Sequence, residues 1–496
     1  MTETSIFLFE ALITSRREGR MLGEDNLADG DFDVAVIGAG VVGAAAARRL
    51  ALEGARVAIL EKALEPLDGA SKGNSAILHT GFDAPVGSLE HRCVVEGRRI
   101  FLENRDSLGL PLHETGALVL AWTEEQAAKL DELVSQAHQN SVTDAELISR
   151  SEILALEPHL SEKVVAGFRV PGEHVIDPWT TPYAYLTQAL AHHAELYRAC
   201  ELLGAEWDGE LWRLHTSHGR ILARAVVNCA GLYGDVVEKR LLGEARLTIM
   251  PRKGQFVVFD KAASKLVRSI LLPVPTERTK GVVLCRTIFG NVLIGPTAEE
   301  QDSRDDASVD GETLRRLRDR AIEMVPTIAD CEVTAIYAGI RPATDKKEYR
   351  IIAEPERRYV NLGGIRSTGL TGALGLAEHL VLEHGEAIGV GGYARAPVAS
   401  PSPVSLQHLS DYHERDWSRP GNGGIICHCE KVTRREIEAA LTGPIPARSF
   451  AGLKRRTRVC MGRCQGFYCL AAVAALTRGK LDEPIVLDDR ALCDVA

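Results

Sequence analysis

The stretch "DFDVAVIGAGVVGAAAARRLALEGARVAILEK" (31–62) decides the fold. "DVAVIG" is apolar without alternation, as a strand buried on both faces requires. "VVGAAAARRLALEG" is a helix former that stops at Gly54, and "RVAILEK" is a second strand. Between the first strand and the helix stand Gly38, Gly40 and Gly43 in G-x-G-x-x-G spacing. Gly38 serves the tight turn, Gly40 lets the backbone approach a pyrophosphate, and Gly43 lets the helix pack on the sheet. The amides opening that helix present partial positive charge to phosphate. Glu61 closes the second strand where an acid accepts hydrogen bonds from an adenosine ribose and repels a 2′-phosphate. At this point the dinucleotide is either NAD or FAD.

Three later segments favour FAD. "GASKGNSAILHTGFDAPVGSLE" (69–90) is a Gly/Ser/Asn-rich loop leading to His79, placed to run along a flavin. "ARAVVNCAGLYGD" (223–235) is a buried strand ending in Ala230-Gly231, small enough for close backbone approach. "RYVNLGGIRSTGLTGALGLAEHLV" (358–381) reads as strand, Gly-rich turn, then a helix from about Thr371, whose N-terminus suits a flavin carbonyl that becomes negative on reduction.

In their order these segments resemble the D-amino-acid-oxidase-like FAD oxidoreductases, the group that includes the L-2-hydroxyglutarate oxidases and the large subunit of anaerobic glycerol-3-phosphate dehydrogenase. The resemblance implies an α/β (α+β overall) chain: a doubly wound FAD domain interleaved with an antiparallel-sheet substrate domain. It places FAD-binding parts at about 31–110, 155–240 and 330–390, and substrate-domain parts at about 111–154 and 241–329. "PRKGQFVVFD" (251–260) and "VVLCRTIFGNVLIGPTAEE" (282–300) would be substrate-domain strands, covered by a helix over 311–325. It also implies FAD contacts at Gly38, Gly40, Val41, Val42, Gly43, Glu61, Lys62, Ser71, Asn74, Ser75, Ala230, Gly231, Gly364, Ile365, Ser367, Gly369, Leu370 and Thr371.

Oxidation of a CH–OH group at a flavin needs a proton acceptor and a clamp for the substrate's anion. Arg341 in "AGIRPATDKK" (338–347) is the clamp candidate, since a guanidinium grips carboxylate or phosphate bidentately; the plainer reading is a surface arginine. Arg252 and Lys253 are weaker alternatives. His79 is the candidate for proton handling. It equally suits a structural hydrogen bonder, and in more distant family members a histidine in this segment carries the flavin covalently. Phe289 stands where family members often carry a histidine, so the family's substrate pocket is not carried over.

Six of eleven cysteines fall in the last seventy residues, which in a large chain speaks for a metal or redox site rather than a disulfide framework. After a Pro/Ser/Gly-rich linker (391–425), "IICHCEKVTRREIEAALTG" (425–443) pairs Cys427 with Cys429, and Thr433 and Glu436 form a capping box that starts a helix. "GRCQGFYCLA" (462–471) brings Cys464 and Cys469. Four thiolates suit zinc or an iron–sulfur cluster. The pattern resembles the BFD-like [2Fe–2S] domain (426–496), and that resemblance implies Cys427, Cys429, Cys464 and Cys469 as ligands; Cys460 falls where relatives commonly have glycine. Lys454, Arg455, Arg456, Arg458 and Arg463 read as a solvated face, or else as a patch that offsets cluster charge or docks an acidic acceptor.

Charge and hydropathy exclude other classes. A net charge of −10 disfavours nucleic acid, and no run suits a membrane span. "SIFLFEALIT" within an N-terminal extension (1–30) lacks the basic flank of a signal peptide. A cytoplasmic flavoprotein dehydrogenase is expected, with peripheral attachment to the inner membrane face as an option and an oligomer or hetero-complex as its state. Its substrate would be a small anion, first sn-glycerol 3-phosphate, then L-2-hydroxyglutarate or another 2-hydroxyacid, then an opine or proline-type amine. Electrons would pass from FAD through the [2Fe–2S] cluster to a quinone or to an electron-accepting partner subunit. The rival of a different class is a non-catalytic FAD/Fe–S relay subunit.

Overall fold

The computed structural model describes residues 32–275 and 281–485; the expected extension at 1–30 lies outside them. Strand Phe32–Ile37, buried at all six positions, forms the middle of a parallel sheet. It pairs with Val57–Leu60 on one side and Gly219–Asn228 on the other. Ala194–Tyr197 and Tyr359–Gly363 extend the parallel run outward. Antiparallel strands Leu202–Trp207, Trp212–Thr216 and Arg350–Glu354 complete eight strands. Helix Val41–Leu52 packs against helices Thr180–Ala191 and Gly369–His384 over one face of this sheet. Their alanines and leucines merge with its valines in one apolar core.

The second sheet has nine strands and is largely antiparallel. Its backbone is the long pair Ile249–Phe259 and Val333–Thr344, in register from Ile249↔Thr344 to Val258↔Ala335. Helix Gly311–Met324 covers it through Leu317, Ala321 and Met324, the spacing of a single helical face. Three short strands, Ile77–Leu78, Leu112–His113 and His174–Ile176, form a third sheet between the two larger ones.

Two expectations need adjustment. The helix expected from about Thr371 starts at Gly369. The linker has no regular structure beyond one 3-10 turn at Asp416–Ser418, as its composition demands, but it is strapped to the body. Val398 N–H donates to the Leu52 carbonyl, Val404 N–H to Ser107, and the Tyr412 hydroxyl to Leu112. Beyond it, hairpin Ile425–Cys427/Val432–Thr433 and helices Arg434–Thr442, Phe450–Thr457 and Leu470–Thr477 make a small separate core. The capping box forms as read, with Thr433 and Glu436 satisfying each other's amides.

Candidate functional site: a flavin cavity and a thiol cluster

A cavity of about 520 Å³ opens at the carboxyl ends of the parallel strands, the place where doubly wound sheets bind ligands. Around the glycine turn its wall is backbone. Gly38 sits at φ +102°, and a Cβ there would lie 2.7 Å from the Cys229 carbonyl oxygen. A Cβ on Gly43 would lie 1.9 Å from the Gly38 oxygen, so helix and turn touch without a side chain between them. The Ser71 hydroxyl accepts the Val41 amide at 3.0 Å, which folds the 69–75 loop over the helix N-terminus. Asn74 fixes that loop by donating to the Ser71 carbonyl and accepting the Ala76 amide.

Of the eighteen positions expected to contact FAD, all but Gly43 and Thr371 line this cavity. Gly43 lies behind the turn it makes possible. Thr371 serves the wall, donating to the Ile77 carbonyl and accepting the His79 amide. Glu61 is 9% exposed and accepts the amides of Ala39 and Ala63, both at 2.8 Å. Burial pushes its carboxyl above the usual range. Its place at the cavity edge, beside the G-x-G turn, is where a ribose would reach it.

Arg341 lies within strand Val333–Thr344 and lines the cavity, not the surface. Its Nη2 donates to the carbonyls of Thr297 (2.6 Å) and Lys253 (3.3 Å), which fixes the guanidinium plane. Burial lowers its pKa to about 10, and repulsion from Arg252 and Arg366 adds to this. Arg252 is turned outward into an ion pair with Glu300. Arg366 lines the cavity with Arg341 and lies close enough for the two charges to repel. Sequence reading missed Arg366, whose only signal was a cation inside the Gly-rich turn.

His79 is not in the cavity lining but stands beside it, where the three-stranded sheet ends. The register Ile77↔Val175, Leu78↔His174 brings His79 opposite Glu173. His79 Nδ1 lies 2.9 Å from Glu173 Oε2, while Oε1 accepts the Thr80 amide (2.5 Å) and hydroxyl (2.8 Å). Glu173 is fully buried and no sequence motif marked it. Phe289 also escapes the cavity: it stacks on Trp179 (5.4 Å) and lies under the Arg458 guanidinium (4.1 Å). It therefore joins the sheet to the cysteine-bearing region.

In that region the thiols fall into two contacting groups. Cys429 lies close enough to Cys464, and Cys427 to Cys469, for each thiol to perturb the other's ionisation. Among the described residues no three His, Cys, Asp or Glu side chains converge as a single-ion site. Four thiols gathered in one small core suit a two-iron cluster, which Cys427, Cys429, Cys464 and Cys469 would hold. The amides of Tyr468, Gly466 and Phe467 point at the Cys464 sulfur and lower its pKa, as a nest for thiolate should. Burial raises the Cys427 and Cys469 thiols to about 11, a cost that iron removes by taking the proton's place. Cys460 brings a fifth sulfur within 3.4 Å of Cys469 at φ +61°.

The basic run is not a solvated face. Arg455 and Arg458 are 7% and 5% exposed. Arg456 pairs with buried Glu65 at 2.9 Å, Arg455 with Asp68 at 3.3 Å, and Arg458 with Glu430 at 2.8 Å. Glu65 also accepts the amides of Arg448 and Ser449. The pairs to Glu65 and Asp68 clamp the thiol region to the loop that follows Glu61, and Arg458–Glu430 ties helix Phe450–Thr457 to the cysteine hairpin. Only Arg463 of the run stays largely open, its side chain 63% exposed.

Comparison with known proteins agrees with both halves. The family model "FAD dependent oxidoreductase" matches residues 33–382, and "BFD-like [2Fe-2S] binding domain" matches 425–478. The chain is 30% identical to a glycerol 3-phosphate dehydrogenase of Caloramator mitchellensis, covering 91% of this chain and 94% of that one. It is 23% identical to one subunit of the anaerobic glycerol-3-phosphate dehydrogenase of Escherichia coli (strain K12), covering 90% and 87%. The fold matches that of dithionite-reduced L-α-glycerophosphate oxidase from Mycoplasma pneumoniae with FAD bound, at TM-score 0.69 and 24% identity over 75% of this chain and 98% of that one.

Proposed function

The chain belongs to the FAD-dependent oxidoreductase family and carries a BFD-like [2Fe–2S] domain, and from that premise we propose that it dehydrogenates sn-glycerol 3-phosphate to dihydroxyacetone phosphate. FAD, when bound, supplies the hydride acceptor, and the [2Fe–2S] cluster supplies one-electron release toward a quinone or partner subunit. The observation that carries the substrate class is the pair Arg341 and Arg366, two mutually repelling cations that line the cavity. Two cations that repel each other there gain from a dianion placed between them.

Arg341 is held by its backbone carbonyl contacts, so little side-chain entropy is lost when it grips phosphate. Glu173 accepts from Nδ1–H of His79, which leaves the lone pair on Nε2, the tautomer that takes a hydroxyl proton. Glu61 and the glycine turn hold the adenosine end, and the helix starting at Gly369 meets the flavin end. Among the described residues no helix is long and apolar enough to cross a membrane. The name of the Escherichia coli relative, which is one subunit of its enzyme, supports an electron-accepting partner subunit.

Anaerobic titration of the purified holoprotein tests this reading. Flavin absorbance should bleach with sn-glycerol 3-phosphate and not with L-2-hydroxyglutarate, proline or sarcosine. Bleaching by L-2-hydroxyglutarate alone would reassign the guanidinium pair to two carboxylates. No bleaching by any donor, in protein that dithionite still reduces, would make the chain a relay subunit.

A further inference from the structure

Helix Leu470–Thr477 is apolar throughout, "LAAVAALT", yet only Val473 and Thr477 are buried. A helix apolar on every side normally has both faces covered. Here Ala471, Ala472 and Ala475 are exposed, Leu470 is 38% exposed, and the preceding Phe467 and Tyr468 are 84% and 80% exposed. The two rings hold each other edge to face at 5.1 Å. They project from the loop whose amides bind the Cys464 sulfur, between two expected cluster ligands. The loop is pinned from behind, Gln465 Nε2 donating to the Thr334 carbonyl at 2.6 Å. So the most exposed aromatic pair of the described residues sits directly over the thiol site, on a fixed support.

The region around the patch is net positive. Residues 425–485 hold eleven Lys and Arg against five Asp and Glu, a net +6 within a chain of net −10. Arg455, Arg456 and Arg458 are spent inward on Asp68, Glu65 and Glu430, whereas Arg463, beside Asp260 at 3.4 Å, and Arg478 and Lys480 are exposed at the two ends of the patch. An exposed Phe–Tyr pair with arginines at its rim has the composition that protein interfaces select.

We propose that this face, Phe467, Tyr468 and the exposed side of helix Leu470–Thr477 with its Arg/Lys rim, docks a protein electron carrier that presents an apolar centre within an acidic rim. The inference rests on the reading that electrons leave this chain through its cluster. The transfer itself moves one electron to an oxidised acceptor, with no bond made or broken.

The test uses full-length, cluster-loaded protein and cytochrome b5, an acidic one-electron haem carrier, as probe. Sedimentation of the oxidised proteins together at low ionic strength should show a complex that dissociates as salt rises. Phe467→Ser/Tyr468→Ser should bind at least about tenfold more weakly, with the cluster's paramagnetic resonance signal unchanged. Reoxidation of dithionite-reduced protein by ferric cytochrome b5 should slow in the same proportion. Neither readout needs a substrate, so a failure of glycerol 3-phosphate leaves them standing. Equal binding by wild type and variant, or binding indifferent to salt, would overturn the proposal. So would a wild-type dimer that the variant splits, tighter binding after removal of residues 486–496, or variant-sensitive pelleting with phosphatidylglycerol vesicles; these would give the face to a second copy, to the chain's own end, or to a membrane.

Discussion

The flavin cavity and the thiol site are built from opposite materials. The cavity is defined by atoms that are absent: at Gly38 and Gly43 a single added carbon would overlap a carbonyl oxygen. The thiol site is defined by atoms that are present, sulfurs gathered in two pairs with amides aimed at one of them. The first should fail when a methyl is added and the second when a sulfur is removed, and each failure should leave the other site intact.

Gly43→Ala is the most damaging change by this logic. Its Cβ would stand 1.9 Å from the Gly38 oxygen, so the helix must leave the sheet or the turn must open. Overpacking of backbone against backbone should cost about 3 kcal/mol or more. The purified variant should carry almost no flavin, read from its visible absorbance, while its iron content stays near that of wild type. Loss of both together would show that the two sites fold as one.

Cys469→Ser should do the reverse: iron lost, flavin retained and still bleached by substrate, with reduction of a protein acceptor down by more than about a hundredfold. Cys460→Gly sharpens the point. Cys460 lies 3.4 Å from Cys469 yet is not among the expected ligands, so this variant should keep its iron. If Cys460→Gly loses iron and Cys469→Ser keeps it, the two exchange roles.

The same contrast explains what could be read in advance. Gly38, Gly40, Gly43 and Glu61 were legible because a backbone cradle needs fixed spacing along one strand–turn–helix unit. The cysteine pairs were legible because sulfur has few other uses in such a cluster. Arg366, Glu173 and Glu65 were not. Each acts through a partner far away in sequence, such as Glu173 through His79 across 94 residues and Glu65 through Ser449 across 384. Only the strand register or the packing of the two regions sets those pairs, and no local pattern encodes them. The basic run at 454–458 misled for the same reason, since its carboxylate partners lie in the flavin-side loop and in the cysteine hairpin.

Arg341→Ala moves the comparison into the cavity, where charge and not shape carries the effect. With the guanidinium gone, the substrate anion faces Arg366 alone. A buried charge-assisted pair of this kind contributes about 3 kcal/mol, so kcat/KM should fall roughly a hundredfold with flavin and iron contents unchanged. Arg341→Lys should recover only part, because an ammonium cannot fork. Stopped-flow bleaching against substrate concentration reads both values.

Glu173→Gln is the mildest and the most specific. Glu173 uses one oxygen for the two Thr80 donors and the other for His79 Nδ1. Glutamine has one oxygen. The two Thr80 donors claim it, which turns the amide NH2 toward Nδ1. His79 must then accept at Nδ1 and carry its proton on Nε2, the wrong tautomer for taking a proton from a hydroxyl. Reversing that preference costs about 1.4 kcal/mol, so kcat should drop roughly tenfold while KM holds. A purely structural carboxylate would change flavin content or stability instead. The decisive comparison is the double variant: in a His79→Asn background, Glu173→Gln should have no further effect on kcat, because the group it orients is already gone. Additive losses would mean that Glu173 acts through Thr80 and the wall of the cavity, and that the pairing with His79 is incidental.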